Sequence, residues 1–173
     1  MRRYPAKHQT SRPKAQSLEP KVRAYIDGLK MLGRRELSEV QVRERLSRKG
    51  HDADEIGAAI ERLKSERAID DARVAGAIAR TQTSVKRRGK LRVAQQIARA
   101  GIASATARQA VDEAFASLDD EALLAAALGR RLKGDRQIAD DREFQRLYRY
   151  LIAQGFESDR IIKALAARRR RPE

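Results

Sequence analysis

A helix followed by glycine occurs three times in this chain, and this repeated pattern constrains the fold more than any other feature. In each copy an apolar residue stands four positions before the glycine: Leu46 and Gly50, Ile97 and Gly101, Leu151 and Gly155. Other apolar or small residues keep a fixed distance from each glycine: Val42, Val93 and Leu147 before it, Ile56, Ala107 and Ile161 after it. Three aligned copies with glycines 51 and 54 residues apart predict a tandem repeat, whose units pack mainly on their neighbours.

The first copy predicts three short helices. Pro20 suits the first turn of a helix. The apolar stripe that follows it at helical spacing consists of Val22, Ile26, Leu29 and Leu32. Ser38 and Asp52 each stand three residues before a Gln or a Glu, which is the spacing of a capping box and predicts two further helix starts. Gly50 ends the second helix, because glycine suits the left-handed cap.

Acidic pairs stand where three later helices are predicted to begin: Asp70-Asp71, Asp119-Asp120 and Asp140-Asp141. The first two pairs are followed by apolar stripes: Val74, Ile78 and Val85 after one, Leu124, Leu128 and Leu132 after the other. Carboxylates at a helix start cap backbone N–H groups and oppose the helix dipole. Because each pair lies at a separate helix start, we interpret the pairs as caps and not as metal ligands.

These patterns predict an all-α fold of three tandem three-helix repeats that form an elongated, curved body. The predicted repeats cover residues 20–66, 67–116 and 117–168. Residues 1–19 are predicted to be a disordered basic arm, because prolines and basic residues replace the apolar periodicity there. Residues 169–173 are interpreted as a basic C-terminal tail. The sequence has no heptad pattern and no large exposed apolar stripe, so we expect a monomer.

The net charge of +15 is large for a chain of 173 residues. Such an excess attracts polyanions, and it predicts a nucleic acid or a nucleoprotein as the partner. The alternative is a charge that serves only solubility in an arginine-rich proteome.

Several classes of protein are disfavoured by what the sequence lacks. It has no cysteine, which excludes disulfides and thiolate metal sites. No apolar run approaches the roughly 18 residues of a membrane span, and no secretory signal is recognisable, so we expect a cytoplasmic protein. No nucleophile elbow, P-loop or His/Asp/Glu cluster with ligand spacing occurs. We therefore expect neither an enzyme nor a bound metal or cofactor.

Residues 38–74 carry a combination of features that resembles the RecX family. The features are a basic helix closing on Lys-Gly, a helix with an acidic start, and an Asp-Asp-x-Arg turn: Lys49-Gly50, residues 52–63, and Asp70-Asp71-Ala72-Arg73. Gly101 opens the Gly-Ile step of the family in the second copy, and the resemblance covers about residues 20–166. The chain departs from the family at His51, where an apolar residue is usual, and at Val74, where Phe is usual.

The resemblance implies a function that composition does not give. RecX proteins bind the filament that the recombinase RecA forms on DNA, and they lie along its helical groove. They reduce its ATPase, its strand exchange and its co-protease activity in repressor cleavage. The family thereby acts in DNA recombination, DNA repair and the SOS response. The alternative is a direct DNA-binding protein, because three-helix units resemble helix-turn-helix modules and a basic excess suits phosphate contacts.

The middle helix of each predicted unit places two arginines opposite its apolar stripe. We call these three outward surfaces the arginine face. Together with a basic segment before the second middle helix, it gives the residues expected to bind the filament or DNA: Arg45, Arg48, Arg87, Arg88, Lys90, Arg92, Arg99, Arg146 and Arg149. Arginine suits this role because its planar fork pairs with carboxylate or phosphate. The alternative is an ordinary solvated helix surface with local ion pairs.

Overall fold

The computed structural model describes residues 19–132 and 136–169. The helices in this part of the chain are α1 (Pro20–Leu32), α2 (Glu39–Arg48), α3 (Ala53–Ser65), α4 (Asp71–Arg80), α5 (Lys90–Arg99), α6 (Ser104–Phe115), α7 (Asp120–Leu132), α8 (Asp141–Gln154) and α9 (Ser158–Ala167). A π-helical turn, Thr81–Val85, continues α4. Apart from one isolated bridge, no extended segments pair within the described ranges, which confirms the predicted all-α fold.

Two predicted segments at the chain ends fall almost entirely outside the described residues. Of the basic arm predicted for residues 1–19, the structure describes Glu19 alone. Of the tail predicted for residues 169–173, it describes Arg169 alone.

The helices form three groups of three, and each group packs around an apolar core of its own. Extensive contacts between helices occur within α1–α3, within α4–α6 and within α7–α9, and in the described ranges no two helices from different groups make contacts as extensive. The predicted inward positions of the middle helices α2, α5 and α8 are all buried: Val42, Leu46, Val93, Ile97, Leu147 and Leu151. The prediction of three tandem three-helix repeats in an elongated array is therefore confirmed.

The predicted helix caps are also present. Backbone N–H groups donate to the side chains of Ser38 at 3.2 Å and Asp52 at 2.8 Å, and each of these residues completes a capping box. Asp70 and Asp140 accept in the same way at 2.9 and 2.7 Å. The acidic pairs therefore act as caps, as the sequence indicates.

The inward face of α1 differs from the predicted stripe. Leu29 is 38% exposed, whereas Ala24 and Gly28 are buried. The reason is close packing of α1 on α3, because a Cβ at Gly28 would lie 2.7 Å from Cδ1 of Leu63. Small residues let the two helices approach, so the contact follows Ala24 and Gly28 and not the larger side chains of the predicted stripe.

The prediction that Val85 extends the apolar stripe of α4 is wrong. Val74 is buried, but Val85 is 74% exposed. The π-helical turn Thr81–Val85 changes the hydrogen-bond spacing from i→i+4 to i→i+5. Residues in this turn are consequently rotated about the helix axis, and Gln82 and Thr83 are buried instead.

His51, where the chain departs from the family, lies in a polar cluster. Its side chain is 11% exposed, and its two ring nitrogens lie 3.1 Å from Oδ2 of Asp27 and 3.2 Å from Oε2 of Glu55. The equivalent residues of the other units, Ile102 and Phe156, are buried in apolar cores. A polar side chain is tolerated in the first unit because two carboxylates satisfy it.

The same cluster predicts an acid-sensitive contribution to stability. Burial raises the pKa of Asp27, but hydrogen bonds from Lys49 and His51 outweigh burial and leave this pKa below its ordinary value. A carboxyl whose pKa is lowered on folding stabilises the protein above its unfolded pKa, and this stabilisation is lost as the pH falls through the folded value. We expect Asp27→Asn to lower the free energy of unfolding by about 1 kcal/mol at pH 7.

Urea unfolding of the wild type and Asp27→Asn at pH 7 and at pH 3 measures this effect. The difference between them should shrink in acid, because the stabilisation that comes from a lowered pKa declines once the pH falls below the unfolded value. Asp159→Asn is the control, since this exposed residue of α9 makes no ion pair with the described residues. A difference that stays constant from pH 7 to pH 3 would contradict the prediction.

Candidate functional site

The middle helices of the three units follow one another end to end. At one junction α5 begins against the end of α8, where the N–H of Gly89 donates to the carbonyl of Gln154 at 3.0 Å and the N–H of Leu91 to that of Gly155 at 3.2 Å. At the other junction α2 begins against the end of α5, where the Ser38 hydroxyl donates to the carbonyl of Ala100. The order in space is therefore α8, α5, α2, with a helix N-terminus on a helix C-terminus at each step.

The repeated glycines make these two junctions possible. A Cβ at Gly155 would lie 2.2 Å from the backbone nitrogen of Arg92, and a Cβ at Gly101 would lie 2.6 Å from Cβ of Val40. Gly50 has the same left-handed backbone, with φ at +88°, but apart from its two chain neighbours no described residue lies within 4 Å of its Cβ position. The sequence indicates these glycines as helix stops. It gives no sign that two of them also hold neighbouring units together.

The outward surfaces of the middle helices meet across both junctions. At the first junction, which joins α2 to α5, Gln41 of α2 shares a groove with Gln96 and Arg99 of α5. At the second junction, which joins α5 to α8, Arg92 and Gln95 of α5 line a groove with Ile152 and other residues of α8. The arginine face therefore runs from one middle helix to the next, although its members are far apart in sequence.

Four arginines of this face have no carboxylate within 4.0 Å among the described residues: Arg45, Arg92, Arg99 and Arg149. Arg92 donates to Oε1 of Gln95 at 2.7 Å, a neutral partner. The other two predicted arginines pair with carboxylates on their own helices. Arg48 makes an exposed ion pair with Glu44 at 3.3 Å, and exposed pairs of this kind contribute little stability. Arg146 lies 3.1 Å from Glu143, whose side chain is buried.

The carboxylates of the helices that carry this face are engaged by cations. Glu39 at the start of α2 pairs with Arg43 at 2.8 Å and Lys64 at 3.0 Å. Burial raises the pKa of Glu39, but hydrogen bonds from Lys64 and Arg43 outweigh burial and leave this pKa below its ordinary value. Glu143 accepts from Arg136 and Arg146. The unpaired arginines consequently give the face a positive potential.

The predicted basic segment, whose last residue Lys90 is the first residue of α5, divides into one exposed and two engaged residues. Arg87 is exposed. Arg88 donates to the side chain of Gln154 across the second junction, between α5 and α8, and its Nε is buried without a hydrogen-bond partner among the described residues. Lys90 lies 3.7 Å from Asp112 and above the ring of Phe115. The structure thus places Arg88 in the contact between units, and the predicted role of these three residues in binding stays a prediction.

Two residues of this region carry no signal in the sequence. Arg35 lies in the loop before α2 and lines the groove at the first junction. Gln82 lines the same groove because the π-helical turn orients it there. Neither a loop arginine nor a π-turn follows from helical periodicity.

No group of three or more His, Cys, Asp or Glu residues in the described part of the chain can hold a metal ion. None of the described helices is both long enough and apolar enough to cross a membrane.

Comparisons with known proteins agree on one family. A model described as "RecX, first three-helix domain" matches residues 24–63. Regulatory protein RecX of Syntrophotalea carbinolica is 34% identical over 142 residues, covering 82% of this chain and 93% of that protein. Regulatory protein RecX of Halorhodospira halophila is 30% identical over 139 residues, covering 80% and 84%. The crystal structure of RecX from Lactobacillus salivarius superposes with a TM-score of 0.68 at 19% identity, covering 86% of this chain and 97% of that one.

Proposed function

This chain belongs to the RecX family of regulatory proteins, and on that premise we propose that it binds the RecA–DNA filament and inhibits it. The activities reduced are the ATPase, strand exchange and co-protease activities of RecA. The protein acts by binding and not as an enzyme, without metal or cofactor, as a monomer in the bacterial cytoplasm. Its role is to limit recombination, DNA repair and the SOS response.

The end-to-end order of α8, α5 and α2 carries this proposal. It joins the outward surfaces of three helices into one long face, on which Arg45, Arg92, Arg99 and Arg149 have no carboxylate partner among the described residues. A filament presents phosphates and carboxylates at regular intervals along a groove. A long face with arginines at intervals matches such a surface better than a compact basic patch does, because arginine pairs with either anion through two parallel hydrogen bonds.

The test is the single-strand-dependent ATPase of RecA, titrated with this protein at physiological salt. The affinity for the same DNA without RecA is measured beside it over a series of salt concentrations. We expect inhibition at concentrations well below those that occupy bare DNA. The salt series matters because phosphate contacts weaken steeply as salt rises.

Inhibition that occurs only where the protein coats bare DNA would overturn this proposal. The protein would then compete with RecA for strands, which is the behaviour of the direct DNA-binding alternative. Absence of any inhibition, with the protein folded by circular dichroism, would equally overturn it.

A further inference from the structure

A groove of about 410 Å³ lies at the junction of the first and second units, beside the arginine face. Its apolar lining comes from α4, with Val74, Ala77 and Ile78. Val74 is 5% exposed, so the groove reaches down to the core of the second unit. Apolar surface of this kind can receive one apolar side chain of a partner.

Polar groups around this apolar surface have bonding capacity left over. The side-chain amides of Gln82 and Gln96 make no hydrogen bond with the described residues, and the guanidinium groups of Arg35 and Arg99 have no carboxylate within 4.0 Å there. Glu36, the carboxylate that lines the groove, is engaged by Arg73 at 2.7 Å. The groove therefore offers two cations and two amides to an incoming ligand.

We propose that this groove binds an extended peptide segment of RecA that carries acidic side chains next to an apolar one. Glutamine amides both donate and accept, which matches the N–H and C=O groups of an extended backbone. The two guanidinium groups match carboxylates. The inference rests on the proposed function, because the filament is the source of the segment. It adds that protein contacts, and not phosphate contacts alone, select the filament over bare DNA.

A nucleic acid fits the groove less well than a peptide. Binding of single-stranded nucleic acid relies on bases stacked on aromatic side chains. None of the residues that line this groove is aromatic. Its apolar surface consists of separate aliphatic side chains along one helix. Such an uneven surface suits an aliphatic group better than the flat face of a base.

Charge reversal at one arginine, with its neighbour as the control, tests this inference. Arg35→Glu places a carboxylate at the groove, whereas Arg34→Glu changes the net charge equally one residue away, at an exposed position that does not line it. We expect Arg35→Glu to weaken inhibition of the RecA ATPase about tenfold more than Arg34→Glu does. Affinity for bare DNA should fall equally in both variants. Equal loss of inhibition in both would overturn the inference.

Cross-linking identifies what occupies the groove. The chain has no cysteine, so a photoreactive maleimide attached to Ala77→Cys reports on the groove alone. Gln95→Cys reports on the arginine face, and Ala166→Cys, exposed on α9, is the control. On the filament we expect Ala77→Cys to cross-link to a RecA peptide that contains Asp or Glu beside an apolar residue.

The three positions separate the two proposals. In one outcome Gln95→Cys cross-links to the filament, whereas Ala77→Cys cross-links only to DNA or gives no product. This outcome would overturn the groove inference and leave the proposed function standing. No product from either position, together with no inhibition of the ATPase, would overturn the proposed function itself.

Discussion

Glutamate in place of both Arg92 and Arg99 is expected to abolish inhibition of the RecA ATPase at concentrations where the wild type inhibits fully. Both guanidinium groups lie on the arginine face of α5 without a carboxylate partner among the described residues. The double variant presents carboxylates to an anionic filament, so attraction becomes repulsion. We expect its affinity for the filament to fall about a hundredfold or more. The ATPase titration, with filament binding followed by fluorescence anisotropy, measures this loss.

The fold should survive this change. Arg92 stands in the first turn of α5, where a carboxylate favours the helix dipole, and Arg99 in the last, where it opposes it. The two effects largely cancel, so the helical circular dichroism signal should be unchanged.

Arg108→Glu with Arg130→Glu is the matched control for the double variant. These arginines are exposed on α6 and α7, and their replacement changes the net charge by the same amount away from the arginine face. If the control loses inhibition as fully as the double variant, net charge and not the arginine face governs binding. Full inhibition by the Arg92 and Arg99 variant would show that the filament meets another surface.

The fold could be predicted because its determinants are local and repeated. The sequence itself contains apolar residues at helical spacing, capping boxes at Ser38 and Asp52, and a glycine after each middle helix. Each of these features acts within a few residues of its position. Three copies in one chain reinforce one another, so the helix order follows without any structure.

The contacts between units could not be predicted in this way. The carbonyl of Gly155 accepts a hydrogen bond from the N–H of Leu91, and Gly101 packs on Val40. Both contacts depend on how separate helices meet. The spacing of apolar residues within one helix does not predict such contacts between helices. The same reason explains α1, where the closeness of Gly28 to Leu63 moves the buried face away from the larger side chains.

The candidate site is predictable only in part for a related reason. Its arginines are recognisable because they lie opposite buried stripes on their own helices. Their continuity across units depends on the junctions, and Arg88 is drawn into one of them. Arg35 belongs to a loop, and Gln82 to a π-turn that no helical pattern indicates.

Alanine at Gly155 is expected to separate the second and third units. Its Cβ would meet the backbone of Arg92 at 2.2 Å, where no side-chain rotation can relieve the contact, and the backbone at Gly155 is left-handed with φ at +91°. The left-handed conformation costs about 1 kcal/mol with a Cβ, and the steric contact adds about 2 kcal/mol more. The free energy of unfolding should fall by the total in urea titrations. Inhibition of RecA should fall as well, because the arginine face is interrupted between α5 and α8.

Gly50→Ala separates the two causes. Gly50 has the same backbone conformation, and in the described part of the chain only its two sequence neighbours lie within 4 Å of its Cβ position. The variant should lose only the roughly 1 kcal/mol of the left-handed cap and inhibit RecA as the wild type does. Each unit keeps its own core, so Gly155→Ala should retain most of its helical signal while inhibition falls. Equal destabilisation by the two variants would mean that the junction contributes nothing. Continuity of the middle helices would then be a geometric coincidence and not the basis of the binding face.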